Sequence, residues 1–272
     1  VTYGQKVDAI DAINAAGDGD LDTVQRYLDG GGNLNERNMG GATMLVRAAD
    51  AGQLAMVQLL LEHKADPDLQ DGDHGSALLY AIDGQHPDIV LLLLDHKADP
   101  NILGQDSVSA LSLAAGVGYP EMVQALLAAG ANHALRAIEG STALLISLQG
   151  GFMGRAEEYE QITRLLLEAG ADPTDRDGRG RTVLMFAAAH GNEDVVRLAL
   201  EAGADVNATE DQGMTALFAA SSTGQPNTAR LLLEAGADVN VQDHQGKTAL
   251  ANAQEGGHDA VVALLKEAGA KE

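Results

Sequence analysis

A run of aspartates is the first group in this chain whose residue type and spacing could bind a metal ion. Asp66, Asp68, Asp71 and Asp73 are interleaved with other residues, as the oxygen ligands of a calcium-binding loop are. An EF-hand loop starting at Asp66 needs a glycine at its sixth position and a glutamate at its twelfth. The chain has Asp71 and Ala77 at these positions, so the match fails. We expect the aspartates to stabilise backbone turns instead.

The histidines are the second group that could bind a metal. His63 and His96 lie 33 residues apart, each within the same His-Lys-Ala-Asp-Pro sequence, and the other histidines lack ligand spacing. Identical positions in successive segments indicate a structural role near a helix C-terminus, where positive charge is favoured. The sequence also lacks a Walker-type lysine after a glycine-rich stretch, and no Ser-His-Asp or paired-carboxylate arrangement stands out. We therefore predict no metal, no cofactor and no catalytic residues.

The elements that position these residues follow a fixed period. A threonine or serine recurs at steps of 33, 33, 33, 40, 33 and 33 residues. The seven positions are Thr43, Ser76, Ser109, Thr142, Thr182, Thr215 and Thr248. Each is followed by a leucine two residues later and by an alanine or serine five residues later. A period of this length predicts stacked repeats, in which each unit packs only against its neighbours.

The segment 177–210 shows what one repeat contains. Thr182 is placed to cap the N-terminus of a helix with its hydroxyl, and residues 183–189 then form an apolar, small-residue helix. Gly191 separates it from a second helix, and Gly203 is suited to a left-handed helix end. Helices of roughly ten residues are too short to be stable alone in water. Their burial must therefore come from the repeats on either side.

These residues resemble the ankyrin repeat. Its turn and Thr-x-Leu motif is present at residues 243–250, DHQGKTAL, and its second-helix motif at residues 231–240, LLLEAGADVN. The resemblance implies an all-α ankyrin-repeat solenoid of stacked helix-turn-helix units with protruding β-turn or hairpin tips. It also implies a single domain over residues 1–272. That domain would have an N-terminal cap repeat at 1–38, internal repeats at 39–241 and a C-terminal cap repeat at 242–272.

The sequence departs from the family pattern at several positions. The proline and histidine of the family's Thr-Pro-Leu-His motif are replaced in every repeat, which indicates a natural, divergent protein. Lys64 and Lys97 replace the glycine that usually ends the second helix. A lysine kept in the left-handed conformation costs about 1 kcal/mol.

Composition limits the classes of partner. The net charge is −23, which argues against nucleic acid or an anionic membrane surface and permits a protein partner with a basic patch. The chain has no cysteine, so disulfides and thiol catalysis are excluded. No leader is visible, and no stretch approaches the roughly 20 apolar residues that span a bilayer. We expect a cytoplasmic monomer.

The 40-residue step contains seven additional residues near 150–161. This segment includes Phe152 and Met153. One interpretation is a longer second helix with a tolerated loop, because loop insertion costs little. The other interpretation is a loop that contacts a partner.

Charge is unevenly distributed around that segment. From residue 136 to residue 181, six arginines oppose eight carboxylates, a net of −2, and the remainder has 11 basic and 32 acidic residues, a net of −21. In the ankyrin family the turn tips and inner helices form a concave binding surface. We predict protein contacts at Leu103, Val108, Arg136, Ile138, Phe152, Met153, Arg176, Arg179, Arg181, His190 and Met214. The alternative is that these are scattered solvated arginines and locally packed turn residues.

The sequence thus predicts a non-enzymatic protein–protein interaction module or scaffold. An alternative is a regulatory subunit or an inhibitor, for instance of the immunity type, that acts by binding an enzyme or a toxin. Both hypotheses use the same binding chemistry and differ in what binding does to the partner.

Overall fold

The computed structural model describes residues 7–137, 140–149 and 156–271. Within these ranges the chain forms sixteen α-helices. They divide into two compact units, residues 1–138 and residues 139–272. Each unit holds four consecutive helix pairs.

The first unit contains eight helices in two rows. They are α1 (Ala9–Asp18), α2 (Leu21–Asp29), α3 (Met44–Asp50), α4 (Leu54–Glu62), α5 (Ala77–Asp83), α6 (Pro87–Asp95), α7 (Ala110–Val117) and α8 (Pro120–Ala128). The first helices of successive pairs, α1, α3, α5 and α7, pack in sequence. The second helices α4, α6 and α8 form the other row. A short 3-10 helix, Gln105–Ser107, precedes α7.

The second unit repeats this arrangement. Its helices are α9 (Ala143–Gln149), α10 (Ala156–Glu168), α11 (Val183–His190), α12 (Glu193–Glu201), α13 (Ala216–Thr223), α14 (Pro226–Glu234), α15 (Ala249–Glu255) and α16 (Asp259–Glu267). The inner row is α9, α11, α13 and α15, and the outer row is α10, α12, α14 and α16. Isolated antiparallel bridges such as Arg176 to Thr182 form the hairpin tips. The predicted all-α solenoid with hairpin tips is confirmed.

The periodic hydroxyls begin the inner helices, as the sequence predicts. Their side-chain oxygens accept the backbone N–H three residues later at 3.1–3.4 Å. The six residues are Thr43, Ser76, Ser109, Thr182, Thr215 and Thr248. Thr142 differs, because its Oγ1 is buried without a hydrogen-bond partner among the described residues. The leucines two positions later are buried and form the core between the rows.

Two lysines take a glycine's place at the ends of outer helices. Lys64 has φ 70° and Lys97 has φ 69°, both in the left-handed region. Gly203 and Gly236 occupy the same position in the second unit, at φ 96° and 91°. Both lysines therefore keep the left-handed turn despite their β-carbons.

The aspartate run forms turns. Oδ1 of Asp71 accepts the amides of Asp73 and Gly75 at 3.0 and 2.9 Å. Oδ1 of Asp68 accepts the amide of Asp99, 31 residues later, at 2.8 Å. The first contact closes a hairpin and the second joins successive repeats. The structural interpretation of these acids is confirmed.

The histidine pair also lies where the sequence places it. His63 and His96 follow the last residues of α4 and α6 as C-terminal caps. Nδ1 of His63 lies 2.8 Å from the carbonyl oxygen of Leu59 in the last turn. The side chain therefore adds a second contact to a carbonyl oxygen that also accepts the His63 backbone N–H.

Some of the seven additional residues lengthen the outer helix α10, and the others lie in the segment that connects α9 to it. The outer helix α10 has 13 residues, whereas α12 has nine. It begins 14 positions after Thr142, whereas α12 begins 11 positions after Thr182. Four added residues thus lengthen α10 and three precede it, which confirms the predicted longer second helix. Phe152 and Met153 lie outside the described residues, so a contact role for them stays a prediction.

Candidate functional site

An open apolar groove lies between α11 and α13 in the second unit, with a volume of about 250 Å³. The groove is lined by Arg181, Met185, Phe186, Ala189, Glu210, Met214, Thr215, Ala219, Ser222 and Thr223. The inner-helix residues form the floor, and Arg181, Glu210 and Met214 come from the adjoining hairpins. Met214 is 36% exposed.

Helical periodicity explains which inner-helix residues line the groove. Residues four and seven positions after the capping threonine lie about one turn apart on the same helix face. In α11 these are Phe186 and Ala189, and in α13 they are Ala219 and Ser222. The small side chains at three of these positions leave space beside the Phe186 ring. The groove thus follows from one large aromatic residue among small neighbours.

Arg181 forms the charged edge of the groove. Its guanidinium carbon lies 4.5 Å from the centre of the Phe186 ring, close enough for a cation–π interaction. Its Nε donates to Oδ2 of Asp177 at 2.8 Å, and its second guanidinium nitrogen lies 2.6 Å from the same oxygen. The side chain is 38% exposed while that of Asp177 is 4% exposed. The buried carboxylate of Asp177 therefore fixes the Arg181 guanidinium, and the arginine side chain remains accessible at the groove.

Asp177 is stabilised as a carboxylate by donors from its own hairpin. Burial by itself would raise the pKa of this group, but the Arg181 side chain and two backbone amides outweigh it, and the pKa lies below its usual value. The amides belong to Arg179 and Arg181, each 2.9 Å from Oδ1. The carboxylate is thus charged whenever the hairpin is formed near neutral pH.

The other two arginines of this tip have different environments. Arg176 donates to the carbonyl oxygens of Thr209 at 2.5 Å and Gly180 at 3.4 Å, so it joins its hairpin to the next one. Arg37 makes the corresponding bonds in the first unit, to the carbonyl oxygens of Gly41 and Gln70. The guanidinium of Arg179 is exposed and has no hydrogen-bond or ion-pair partner within the described part of the chain.

Four predicted contact residues belong to the first unit, and the structure describes three of them. Leu103 is exposed at a hairpin tip, where its carbonyl oxygen accepts from Nε2 of Gln70 at 2.8 Å. Val108 is half-buried and closes the same tip by accepting from the amide of Gly104 at 2.9 Å. Arg136 is exposed. Ile138, like Phe152 and Met153, lies outside the described residues.

His190 faces a different concavity. Its Nδ1 lies 2.7 Å from the carbonyl oxygen of Phe186, at the C-terminal end of α11. It lines a second cavity of about 570 Å³, together with Ser147, Tyr159 and Asn192 among others. His190 is not among the residues that line the apolar groove.

The structure brings Arg181 and Met214 together in the groove, with Arg179 on the adjoining tip. Sequence reasoning missed Phe186, Glu210 and Ala219 as groove residues. The repeat spacing could have identified Phe186 and Ala219, because the residue four positions after each capping hydroxyl lies on the open face of the inner helix. Among the described residues, no cluster of three or more His, Asp or Glu side chains could hold a metal ion.

Stacked helix pairs with hairpin tips define a helical-repeat protein. Family models described as "Ankyrin repeats (3 copies)" match residues 12–104, 152–243 and 209–272. A model described as "Ankyrin repeats (many copies)" matches residues 93–146. The chain therefore belongs to the ankyrin repeat family, whose members are generally protein–protein interaction modules.

A solved structure supports this assignment. The crystal structure of the ankyrin repeat domain of Bcl-3, described as a unique member of the IkappaB protein family, is similar, with a TM-score of 0.69 and 29% identity. The match covers 83% of this chain and 99% of that one. A search of curated proteins gave no match. None of the helices in the described ranges has the length and apolar character needed to cross a membrane.

Proposed function

We propose that this chain is a non-enzymatic protein-binding module whose contact surface centres on the groove between α11 and α13. The observation that carries the proposal is the placement of Arg181. It is fixed over Phe186 by Asp177 at the edge of an open apolar groove. Fixed arginine, aromatic and methionine side chains are the residue types that protein interfaces favour.

Preorganisation favours binding at this place. A long arginine side chain ordinarily loses rotamer freedom when a partner orders it, at a cost of about 0.5–1.5 kcal/mol. Arg181 has already lost much of that freedom to Asp177 and Phe186. Phe186 and Met185 are buried, at 8% and 6% exposure, so packing already orders the groove floor. A partner can therefore bury apolar surface here with little ordering cost.

We propose that the whole chain forms one ankyrin-repeat domain that acts as a monomer in the cytoplasm. The net charge of −23 supports a partner with a basic patch elsewhere on its surface, because opposite net charges speed association. The same charge disfavours nucleic acid.

A matched pair of variants tests the groove. Ala219 is half-buried and lines the groove, so Ala219→Glu places a carboxylate in the apolar space. Arg230 is exposed on the outer helix α14, and Arg230→Glu changes the net charge by two units without touching the groove. Circular dichroism and thermal melting establish that both variants fold.

Affinity capture from the source cells, followed by quantitative mass spectrometry, then compares the wild type with both variants. We expect at least one protein to be retained by the wild type and Arg230→Glu but lost with Ala219→Glu. If every retained protein is also retained by a folded Ala219→Glu variant, the groove is not the contact surface.

A further inference from the structure

We propose that the groove between α11 and α13 takes one bulky apolar side chain from a partner segment, and that a neighbouring carboxylate of this segment pairs with Arg179. The inference rests on the proposed function and adds the chemistry of the partner. Two observations support it. They are the volume and apolar lining of the groove, and the guanidinium of Arg179 on the adjoining hairpin, which is unpaired within the described residues.

The groove has the size of a single large side chain. An apolar cavity of about 150 Å³ is known to hold a benzene molecule. The groove, with about 250 Å³, therefore accommodates a leucine, methionine or phenylalanine side chain. Phe186 and Met185 present apolar surface to it, and Ala189 and Ala219 leave the space open. Water in such a space gains few hydrogen bonds, so its displacement by an apolar group is favourable.

The charge complementarity comes from Arg179. Of the three arginines on this hairpin, Arg176 donates to backbone carbonyl oxygens and Arg181 is paired with Asp177. Only Arg179 lacks a partner among the described residues, and its backbone is fixed because its amide donates to Asp177. An exposed guanidinium on an ordered hairpin is suited to bind a carboxylate through two parallel hydrogen bonds.

The neighbouring acids Glu210 and Asp211 do not form an ion pair with Arg179 in the described structure. Oε1 of Glu210 accepts the amides of Gln212 and Met214 at 2.8 and 3.0 Å, so it serves its own hairpin. Asp211 donates its amide to the carbonyl oxygen of Arg179 at 3.1 Å, but no ion pair joins the two side chains in the described structure. A partner cation bound at Asp211 is the competing arrangement, and it is an outcome of the test below.

The test uses a displayed library of random twelve-residue peptides selected on the immobilised full chain. Peptides that bind are sequenced and synthesised, and their dissociation constants are measured with the wild type and with three variants, Ala219→Glu, Arg179→Glu and Arg230→Glu. We expect the selected peptides to share a leucine, methionine or phenylalanine within a few positions of an aspartate or glutamate. Arg179→Glu should weaken them about tenfold or more, the effect of losing one charged hydrogen-bonded pair.

The variants separate the two proposals. If no selected peptide loses affinity with Ala219→Glu, the groove is not a protein-binding site and the proposed function fails with the inference. If binding is lost with Ala219→Glu but unchanged with Arg179→Glu, only the carboxylate pairing is wrong. Enrichment of lysine or arginine beside the apolar residue also overturns the inference and points to Asp211. Arg230→Glu should leave the dissociation constants within twofold of the wild type.

Discussion

Arg181 and Asp177 form an ion pair at 2.6 Å in which the carboxylate is buried and the arginine side chain remains 38% exposed. The carboxylate also accepts two backbone amides of its own hairpin. One aspartate thus fixes both the fold of the tip and the position of the arginine that borders the groove. The fold of the tip and the position of Arg181 are therefore coupled through this pair.

Asp177→Asn should separate the two roles. Asn38 occupies the equivalent turn position in the first unit and accepts two turn amides through Oδ1, so asparagine is compatible with the hairpin. We expect the free energy of unfolding to fall by about 1 kcal/mol, because the lost ion pair is partly exposed. Urea denaturation measures the change. Asp243→Asn is the control, since Asp243 makes the same turn bonds and its side chain forms no ion pair in the described structure. Equal losses in both variants would contradict a special contribution from Arg181.

The pKa of Asp177 predicts a pH dependence. Because the folded-state pKa lies below the ordinary value of 3.8, the unfolded chain binds more protons at this group as the pH falls. The stabilisation is therefore complete at neutral pH and is lost as the pH falls through the lowered pKa. We expect the difference in unfolding free energy between the wild type and Asp177→Asn to stay constant from pH 7 to about pH 5 and to shrink below about pH 4. A difference that grows on acidification would have the wrong sign.

Gly191 lies between the two helices of one repeat, α11 and α12, and faces Gln225 of the next repeat, so a side chain at this position should be destabilising. Its φ is 70°, and an added β-carbon would lie 2.3 Å from Oε1 of Gln225. Gly257 has nearly the same φ of 69° but open space around it. We expect Gly257→Ala to cost about 1 kcal/mol from the left-handed conformation alone, and Gly191→Ala to cost somewhat more, because the Gln225 amide must also move aside. Thermal melting compares the two.

The double variant Gly191→Ala with Gln225→Ala identifies the source of that excess cost. Removing the glutamine amide removes the close contact and leaves the backbone strain. The double variant should therefore recover part of the loss. If Gln225→Ala adds its own cost with no recovery, the close contact does not explain the excess.

Lys64 and Lys97 predict stabilising substitutions. Both hold a left-handed conformation at φ 70° and 69°, in which glycine has no steric penalty. Lys64→Gly and Lys97→Gly should each raise the free energy of unfolding by up to about 1 kcal/mol. Lys266→Gly, within helix α16, should lower it by about the same amount. A loss of stability in Lys64→Gly would show that the lysine side chain makes a larger contribution than the strain.

The fold could be predicted because the repeat pattern specifies local structure directly. Thr182 and its counterparts mark where a helix begins, because the hydroxyl accepts the backbone N–H three residues later. Gly203 marks where a helix ends, because it adopts the left-handed backbone conformation. Both signals depend on nearby sequence. The lengthening of α10 is one of two outcomes that the sequence leaves open, because the added residues could enter either a helix or a loop.

The site was harder to predict because it depends on contacts between repeats. Arg176 and Arg179 look alike in sequence, yet one bonds to the carbonyl oxygen of Thr209, 33 residues later, and the other lacks a partner among the described residues. The sequence predicts a contact role for His190 from its position in the repeat. In the structure its Nδ1 lies 2.7 Å from a helix carbonyl oxygen and the residue lines another cavity, so that role stays a prediction. Side-chain direction at a repeat junction is set by the neighbour, so the composition of one repeat does not reveal it.

The central claim is that a protein partner buries the groove between α11 and α13. Its most direct test is the dissociation constant of a captured partner for Ala219→Glu beside that for Arg230→Glu. We predict that Ala219→Glu weakens binding about 30-fold or more, the threshold of an interface hot spot, and that Arg230→Glu stays within twofold of the wild type. A folded Ala219→Glu variant that binds every partner as tightly as the wild type would contradict the account.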